Sequence, residues 1–370
     1  MKSFQNFVIL LSFVFSLSVR VTCLSTNPVD LFIAGSVAGV NNFRIPALVR
    51  TQSGVLLAFA EARSENSDCA YKWTVYRQSF DNGTTWGSIT NLYKPTNNDE
   101  TAGNPAVVYD SVNKKTLVII AIGDSKHCNP TRWTLVFSSL DDGNTWESPP
   151  LNISSQLGQW AGALPGPGTA AQILTGKYSG RIVVPAHNGA YSNDVAYYTD
   201  DGGKTWTVGT TELPRMDEAV IAVQRNGSLL LNMRNDHANT CDCRAIIRSD
   251  DGGETFNLPI LYDSTLISPV CQASLVTIEG NMYFSNPASK TSRVNITIRR
   301  SDNDGSSWNS QTFLAGPGGS DGYSCLAAGD ASAVDPTSGI KYGSILYENE
   351  NAKGELTISW RLFPLDLSSF

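Results

Sequence analysis

Short runs in which apolar and polar residues alternate recur along the chain, and this pattern predicts β-strands. The runs are residues 55–60, 74–78, 116–121, 134–138, 181–185, 195–198, 228–232, 244–248 and 295–299. Each run is followed within about ten residues by Gly, Pro or Asn, which favour turns. No amphipathic helical pattern is longer than two turns, so the sequence predicts an all-β protein.

One eight-residue pattern, Ser/Thr-x-Asp-x-Gly-x-Thr/Ser-aromatic, occurs five times, and we call each copy an Asp box. The copies begin at Ser79, Ser139, Thr199, Ser249 and Ser301, and the fifth has Asn303 at the Asp position. A turn of this kind joins two strands, because its carboxylate accepts amide hydrogen bonds and its glycine tolerates positive φ. A calcium loop is the alternative, but no Glu follows at the bidentate position. We therefore expect the boxes to be structural.

The spacing of the Asp boxes predicts one repeated unit. The boxes start 60, 60, 50 and 52 residues apart, so residues 24–370 hold about six units, one of them without a recognisable box. A four-stranded unit repeated around an axis protects its sheet edges by closing into a ring. The sequence predicts a six-bladed β-propeller of four-stranded antiparallel sheets. Residues 24–370 then form a single domain, although length alone suggests two or three.

The first 23 residues predict a signal peptide. Lys2 precedes an apolar run at 8–19, and Val-Thr-Cys at 21–23 fits cleavage after Cys23. An uncleaved anchor helix is the alternative, but a membrane span needs about 20 apolar residues. We expect a protein that is secreted or delivered to a vesicular or lysosomal lumen, with no transmembrane segment.

Cysteines and sequons fit that route. After cleavage six cysteines remain, namely Cys69, Cys128, Cys241, Cys243, Cys271 and Cys325. An even number in an exported protein favours disulfides, although the sequence does not select the pairs. Glycosylation sequons begin at Asn82, Asn152, Asn226 and Asn295.

Composition excludes several function classes. The formal net charge is −7, from 27 Lys and Arg against 34 Asp and Glu, so a nucleic-acid partner is not expected. Only three His are present, with no CxxC pair and no HExxH motif, so we expect neither a metal nor another cofactor. The oligomeric state stays open, and a monomer is compatible with the sequence.

Charged residues in apolar strand contexts are the candidates for a site. Arg44, Arg63 and Arg234 lie in or directly after apolar runs, and Glu218 precedes another. Buried charges must be paired or must bind a ligand. In a propeller such residues, scattered along the sequence, meet at the axis.

Phe-Arg-Ile-Pro at residues 43–46, followed by repeated Asp boxes, resembles the sialidase (exo-α-neuraminidase) family, which includes trans-sialidases. The resemblance covers essentially the whole chain after residue 23. It implies removal of terminal sialic acids from glycans with retention of configuration. It also implies that Arg44, Arg234 and Arg293 bind the substrate carboxylate, and converging guanidinium groups suit a planar carboxylate.

The same resemblance implies the catalytic residues. Sialidases use a Tyr nucleophile, which matches Tyr323, and Glu218 matches the base that activates it. Asp217 is the alternative base. Asp68 matches the general acid/base, with Glu65 as the alternative.

Further residues are implied around these groups. Arg63 is expected beside the sugar, near its O4 hydroxyl. Glu348 resembles the carboxylate that orients Arg44, and Glu61 is a second candidate for that role. Residues 164–171 resemble the family's Gly-Pro-Gly loop but continue as Thr-Ala-Ala, which puts the acyl and glycerol contacts in doubt. His187 either compensates or is a strand-end His bonded to backbone.

Two other functions remain open at this point. A trans-sialidase needs an aromatic acceptor site, for which Trp73, Trp133 and Trp160 are candidates, although tryptophans in propellers commonly pack. A non-catalytic sialic-acid lectin is the second alternative. The presence of Tyr323, Glu218 and Asp68 favours an enzyme.

Overall fold

The computed structural model describes residues 25–125, 132–235, 241–315, 322–327 and 333–367. The predicted signal peptide and Cys128 lie outside these ranges. Helix is confined, in the described residues, to one turn of α-helix, α1 (Ser154–Leu157), and one 3₁₀ turn (Gly158–Trp160). None of the helices in the described ranges has the length and apolar character that a membrane crossing requires.

Strands account for the rest of the regular structure. The first half of the chain contains β1 (Val29–Ile33), β2 (Asn42–Arg50), β3 (Leu56–Arg63), β4 (Lys72–Ser79), β5 (Thr90–Tyr93), β6 (Glu100–Asp110), β7 (Lys115–Asp124), β8 (Trp133–Ser139), β9 (Leu151–Asn152), β10 (Leu164–Pro165), β11 (Gly168–Thr169), β12 (Ala171–Gln172), β13 (Ile182–His187) and β14 (Asn193–Thr199). The second half contains β15 (Thr207–Val208), β16 (Leu213–Pro214), β17 (Asp217–Val223), β18 (Leu229–Arg234), β19 (Cys243–Ser249), β20 (Leu261–Ile267), β21 (Ser274–Ile278), β22 (Asn281–Pro287), β23 (Ile296–Ser301), β24 (Ser310–Ala315), β25 (Ser324–Leu326), β26 (Ala333–Val334), β27 (Lys341–Glu350) and β28 (Leu356–Pro364). All nine predicted runs overlap strands, so the all-β prediction is confirmed.

The strands form five sheets of mainly antiparallel pairs. One sheet joins β2-β3-β4 to β6-β7-β8-β9, and another orders β10-β13-β14-β15. Two four-stranded sheets follow, β17 to β20 and β21 to β24. The last sheet runs β25-β27-β28-β1, so the first strand of the described chain completes the last sheet.

Buried apolar side chains lie between neighbouring sheets rather than in one central core. Ile119 of β7 and Val184 of β13 belong to one cluster, and Val183 of β13 and Leu229 of β18 belong to the next. Each sheet thus packs against the sheets before and after it.

The Asp boxes are hairpin turns closed by their own side chains. In the first, Asp81 Oδ1 accepts from the Thr85 N–H at 2.8 Å, and Ser79 Oγ accepts from the Gly83 N–H at 2.8 Å. The fifth box keeps this geometry, because Asn303 Oδ1 accepts from the Ser307 N–H at 2.9 Å. An amide oxygen therefore replaces the carboxylate without loss of the turn. The structure supports the structural interpretation of the boxes.

The first Asp box also packs against the last sheet, and this contact is expected to be sensitive to one methyl group. A Cβ on Gly83 would stand 2.0 Å from the Trp360 ring, and the residue has a φ of +84°. Gly83→Ala is expected to lower the free energy of unfolding by about 1–3 kcal/mol more than Gly35→Ala. Gly35 is the matched control, because its φ is +73° and nothing lies within 4 Å of its Cβ position. Urea unfolding followed by tryptophan fluorescence measures the difference, and equal midpoints contradict the packing argument.

Three strands, β2, β6 and β17, each contain a β-bulge near one end. The register shifts between Arg44 and Ala47 in β2, between Gly103 and Ala106 in β6, and between Asp217 and Ala219 in β17. In the first two the residue before proline has positive φ, 60° at Ile45 and 51° at Asn104. A bulge adds one residue to a strand and re-aims the side chains around it. The residues singled out as site candidates on these strands lie at the bulges.

Candidate active site

Glu348 connects Arg44 to Tyr323. Arg44 Nε donates to Glu348 Oε1 at 2.7 Å, and the Ile45 N–H donates to the same oxygen at 3.1 Å. The second oxygen, Oε2, accepts from the Tyr323 N–H at 3.0 Å. One buried carboxylate on β27 therefore fixes the bulge of β2 and the backbone of Tyr323, directly before β25. The predicted partnership of Glu348 with Arg44 is seen in the structure.

Tyr323 forms a short hydrogen bond to Glu218. The phenol donates to Glu218 Oε1 at 2.5 Å, and Arg234 Nη1 donates to Glu218 Oε2 at 2.9 Å. Arg234 Nη1 also lies 3.4 Å from the Tyr323 hydroxyl oxygen. Tyr323 and Glu218 are 6% and 5% exposed. The buried phenol and carboxylate and the partly buried guanidinium form one hydrogen-bonded group.

The three arginines proposed to bind a carboxylate, Arg44, Arg234 and Arg293, lie around Tyr323. The Cζ atoms of Arg44 and Arg293 lie 5.1 and 5.6 Å from the centroid of its ring, and Arg234 approaches its hydroxyl. Arg299 lies on β23 instead, where its Nη1 donates to Asn286 Oδ1 at 2.9 Å. Arg293, and not the nearby Arg299, therefore lies with the other two arginines beside Tyr323.

A second charged group surrounds Glu61. Arg63 donates to Glu61 Oε2 through Nε at 2.8 Å and Nη2 at 2.6 Å, and Lys72 Nζ lies 3.3 Å from that oxygen. Glu61 Oε1 accepts from the Asn104 N–H at 2.7 Å. Arg63 Nη1 donates to Asp68 Oδ1 at 2.7 Å. Two cations and two carboxylates therefore form a continuous network at the first two bulges.

Arg63 controls the charge of Asp68. The Asp68 side chain is 75% exposed. The desolvation that remains raises its pKa. The charge and hydrogen bond of Arg63, followed by the charges of Lys72 and Arg44, hold that pKa below its usual value. Asp68 rather than Glu65 bonds to Arg63. In the ligand-free protein Asp68 is therefore an ionised, accessible carboxylate that is protonated only at acidic pH.

The pKa of Tyr323 is shifted upward, in contrast to that of Asp68. Burial raises the pKa of its phenol well above the usual value, and the negative charge of Glu218 adds to the rise. The hydroxyl therefore stays protonated unless a base removes its proton. Glu218 is within hydrogen-bond distance to do so.

Two further predictions concern the contacts of Glu61 and His187. Glu61 binds Arg63 and Lys72, whereas Glu348 accepts the hydrogen bond from Arg44 Nε, so a role for Glu61 in orienting Arg44 stays a prediction. His187 is fully buried, and its Nδ1 lies 3.2 Å from the Asn188 carbonyl oxygen. This agrees with a strand-end His bonded to backbone rather than with a direct ligand contact.

The Thr-Ala-Ala departure lies away from the arginines. Residues 169–171 line a separate cavity of about 450 Å³ together with Arg50 and Ile221. Arg44, Arg234 and Arg293 are not among the residues that line it. The loop before them reaches the candidate site, since the Gly166 carbonyl accepts from the Ala219 N–H at 3.2 Å. The effect of this departure on acyl and glycerol contacts stays a prediction.

The aromatic and cysteine predictions are met in part. Trp73 and Trp160 are buried, whereas Trp133 is 40% exposed. Cys241 and Cys243 form a disulfide, and Cys69 is also disulfide-bonded. Cys271 and Cys325 are buried thiols, so the expectation of general disulfide pairing does not extend to them.

Sequence reasoning missed Lys72 and Tyr191. Lys72 sits in a strand with ordinary alternation, and only its pairing opposite Arg63 reveals its position. The Tyr191 ring lies 5.0 Å from the ring of His187. Tyr191 is 45% exposed, and the desolvation of its phenol by the groups around it, with the nearby charges of Glu218 and Asp68, raises its pKa. Neither position has a recognisable sequence motif.

Chemically, the arrangement combines three capabilities. The converging arginines suit a planar carboxylate. A phenol paired with a carboxylate is a nucleophile with its base, and an accessible carboxylic acid a few residues from Arg63 can exchange protons. In the described residues no group of three or more His, Cys, Asp or Glu could hold a metal ion.

Comparison with known proteins gives consistent matches. A family model described as a BNR repeat-like domain matches residues 54–351. A sialidase from Bacteroides fragilis is 30% identical over 340 residues, covering 82% of this chain and 60% of the relative. A sialidase from Micromonospora viridifaciens is 30% identical over 353 residues, covering 85% of this chain and 53% of the relative. This chain thus spans between half and two thirds of the length of these curated relatives.

A solved structure has the same fold. The Hadza microbial sialidase Hz136 superposes with a TM-score of 0.74 at 26% identity. The match covers 90% of this chain and 67% of that one. The whole sheet arrangement, not a single motif, is therefore shared.

Proposed function

This chain belongs to the BNR repeat-like domain family, and from that premise we propose that it is an exo-α-sialidase acting on terminal sialic acids of glycans. The predicted resemblance to sialidases is confirmed by relatives of that name. The observation that carries the proposal is the 2.5 Å hydrogen bond from Tyr323 to Glu218 beside three arginines. A carboxylate-bearing sugar fits this group by charge, and the phenol supplies the nucleophile.

The proposed reaction has two steps. Arg44, Arg234 and Arg293 hold the sugar carboxylate while the Tyr323 oxygen attacks the anomeric carbon. Glu218 takes the phenol proton, and protonated Asp68 gives its proton to the departing glycosidic oxygen. Bond formation to tyrosine and bond cleavage to the aglycone leave a glycosyl-enzyme.

Water completes the reaction. Asp68, now ionised, removes a proton from water, and the resulting oxygen bonds to the anomeric carbon. The bond to Tyr323 breaks, and Glu218 returns the proton to the phenolate. Two displacements give net retention. A neutral phenol suits this substrate, because a carboxylate nucleophile is repelled by the carboxylate on the anomeric carbon.

Incubation with 3′-sialyllactose tests the proposal. We expect free sialic acid and lactose, with the α-anomer of sialic acid detected first by proton NMR. Binding without release indicates a lectin and contradicts the proposal. Transfer of sialic acid to an added labelled lactose acceptor, at a rate above hydrolysis, indicates a trans-sialidase instead.

We also propose that the five sheets are the six blades of a β-propeller. The proposal divides the sheet that contains β2 to β9 between β5 and β6. β2 and β6 are then the inner strands of two separate blades. It is supported by contacts that link β2 to β6, β17 to β21, β21 to β25 and β25 to β2. Pairing of β1 with β28 then closes the ring. Deletion of residues 25–33 is expected to lower the urea midpoint of unfolding, and an unchanged midpoint contradicts closure.

Gly103 lies against Glu61, and a methyl group there is expected to reduce activity. A Cβ at position 103 would stand 2.0 Å from Glu61 Oε1, which must then leave the Asn104 N–H. Gly103→Ala is expected to lower kcat/KM by about 10²-fold, because small displacements of catalytic groups have such costs. Gly87→Ala is the control, since its Cβ position meets nothing nearer than 3.6 Å. Steady-state kinetics measure both variants, and equal kcat/KM values refute the prediction.

A further inference from the structure

Consecutive carboxylates at the bulge of β17 contact the same arginine. Asp217 pairs with Arg234 in the sheet register and Ala219 pairs with Met233, so Glu218 is the inserted residue. Neighbouring side chains of a regular strand point to opposite faces. The bulge removes this alternation locally, and both Asp217 and Glu218 reach the guanidinium of Arg234.

The two carboxylates bind Arg234 at different atoms. Asp217 Oδ2 lies 3.3 Å from Arg234 Nε, whereas Glu218 Oε2 accepts from Nη1 at 2.9 Å. Glu218 uses its other oxygen for Tyr323. Asp217 Oδ1 accepts from the Glu218 N–H at 2.7 Å, so Asp217 also fixes the backbone of the base.

Asp217 is closed off from solvent on its other side. The residue is 1% exposed, and Nδ1 of fully buried His187 lies 3.6 Å from its Oδ1. His187 belongs to β13, in the sheet that precedes β17. Asp217 is therefore enclosed between two sheets and is poorly placed to accept a proton from Tyr323.

We propose that Asp217 is a positioning residue that aims Arg234 at the substrate carboxylate and leaves Glu218 Oε1 available to Tyr323. A guanidinium offers five donors in a rigid plane, so fixing Nε fixes the direction of the remaining edge. Without the charge of Asp217, the guanidinium of Arg234, already bonded to Glu218 Oε2, can turn toward Glu218 Oε1, the oxygen that accepts from Tyr323. This inference rests on the proposed sialidase function and excludes Asp217 as the alternative base.

Asp217→Asn tests the proposal, because asparagine keeps the shape and an oxygen acceptor for the Glu218 N–H but removes the charge. We expect kcat on a fluorogenic sialoside to fall by at least about tenfold, since a hydrogen bond to a charged group is lost. Affinity for 2-deoxy-2,3-didehydro-N-acetylneuraminic acid, measured by calorimetry, is expected to weaken by about tenfold. Affinity for its methyl ester is expected to be unchanged, because the ester lacks the carboxylate that Arg234 binds.

The ester comparison separates aiming of Arg234 from a purely structural role. Equal weakening for acid and ester, or unchanged kcat and acid affinity, overturns the proposal. Asp263→Asn is the control, because Asp263 lies on β20 in the same sheet and bonds locally to Thr265. Asp217→Glu restores the charge and is expected to recover part of the acid affinity. If the wild type neither cleaves sialosides nor binds the acid, the proposed function itself fails, which is a distinct result.

Discussion

Tyr323→Phe is expected to lower kcat on a 4-methylumbelliferyl sialoside by at least about 10²-fold, a typical loss when a nucleophile and base no longer act together. The variant removes one oxygen from a buried ring and leaves Glu218 Oε1 without the phenol that donates to it. Binding of the didehydro sialic acid is expected to change little, because the three arginines remain. Equal kcat in the two proteins removes Tyr323 as the nucleophile.

Tyr283→Phe is the matched control for this experiment. The Tyr283 hydroxyl is also buried and donates to the Leu365 carbonyl at 2.7 Å, a contact in which no site residue takes part. Its loss is expected to cost about 1 kcal/mol of folding free energy without affecting kcat. If the control loses activity as strongly as Tyr323→Phe, the loss reflects destabilisation rather than chemistry.

Asp68→Asn is expected to have an effect that depends on the leaving group. With sialyllactose, whose leaving alcohol needs a proton, kcat/KM is expected to fall by about 10²–10⁴-fold. With the 4-methylumbelliferyl sialoside the loss is expected to be much smaller, since the leaving phenol is acidic. Similar losses with both substrates contradict the assignment of Asp68 as the acid.

The pH dependence follows from the lowered pKa of Asp68. The protonated acid is present below that pKa and disappears as the pH rises through it. For the wild type with sialyllactose, kcat/KM is therefore expected to decrease as the pH is raised from the acidic range toward neutrality. The decrease is expected to be weak with the aryl substrate and absent in Asp68→Asn. A profile for sialyllactose that is flat up to pH 8 contradicts this account.

Much of the fold and site followed from local sequence patterns. The Asp boxes repeat because each is a self-contained turn, so their residues identify them without tertiary information. Arg44 and Glu348 were paired correctly because the Phe-Arg-Ile-Pro element is a specific motif. The partners of Glu61 were not predicted, because two of them come from other strands. Lys72 lies on β4, and the Asn104 N–H lies on β6.

The bulges could not be predicted from hydrophobic pattern alone. A single inserted residue leaves only a one-position break in alternation, and positive φ is rare for a β-branched residue such as Ile45. The roles of Asp217 and Glu218 depended on this break, because a regular strand directs only one of them toward Arg234. The buried thiols of Cys271 and Cys325 were also missed, since cysteine number alone does not reveal packing.

The β2 bulge divides one strand into two segments whose alternation is out of phase. Arg44 pairs with Glu61 on one side of the bulge, and Ala47 pairs with Phe59 on the other. Deleting the extra residue would bring the two segments into phase. In one of the segments every side chain would then point to the opposite face of the sheet. A substitution in the segment that contains Arg44 therefore need not disturb the packing of the segment that begins at Ala47, and the reverse also holds. The number of residues between the two segments is constrained. Single-residue deletions at the bulge are expected to be more damaging than most substitutions on either side.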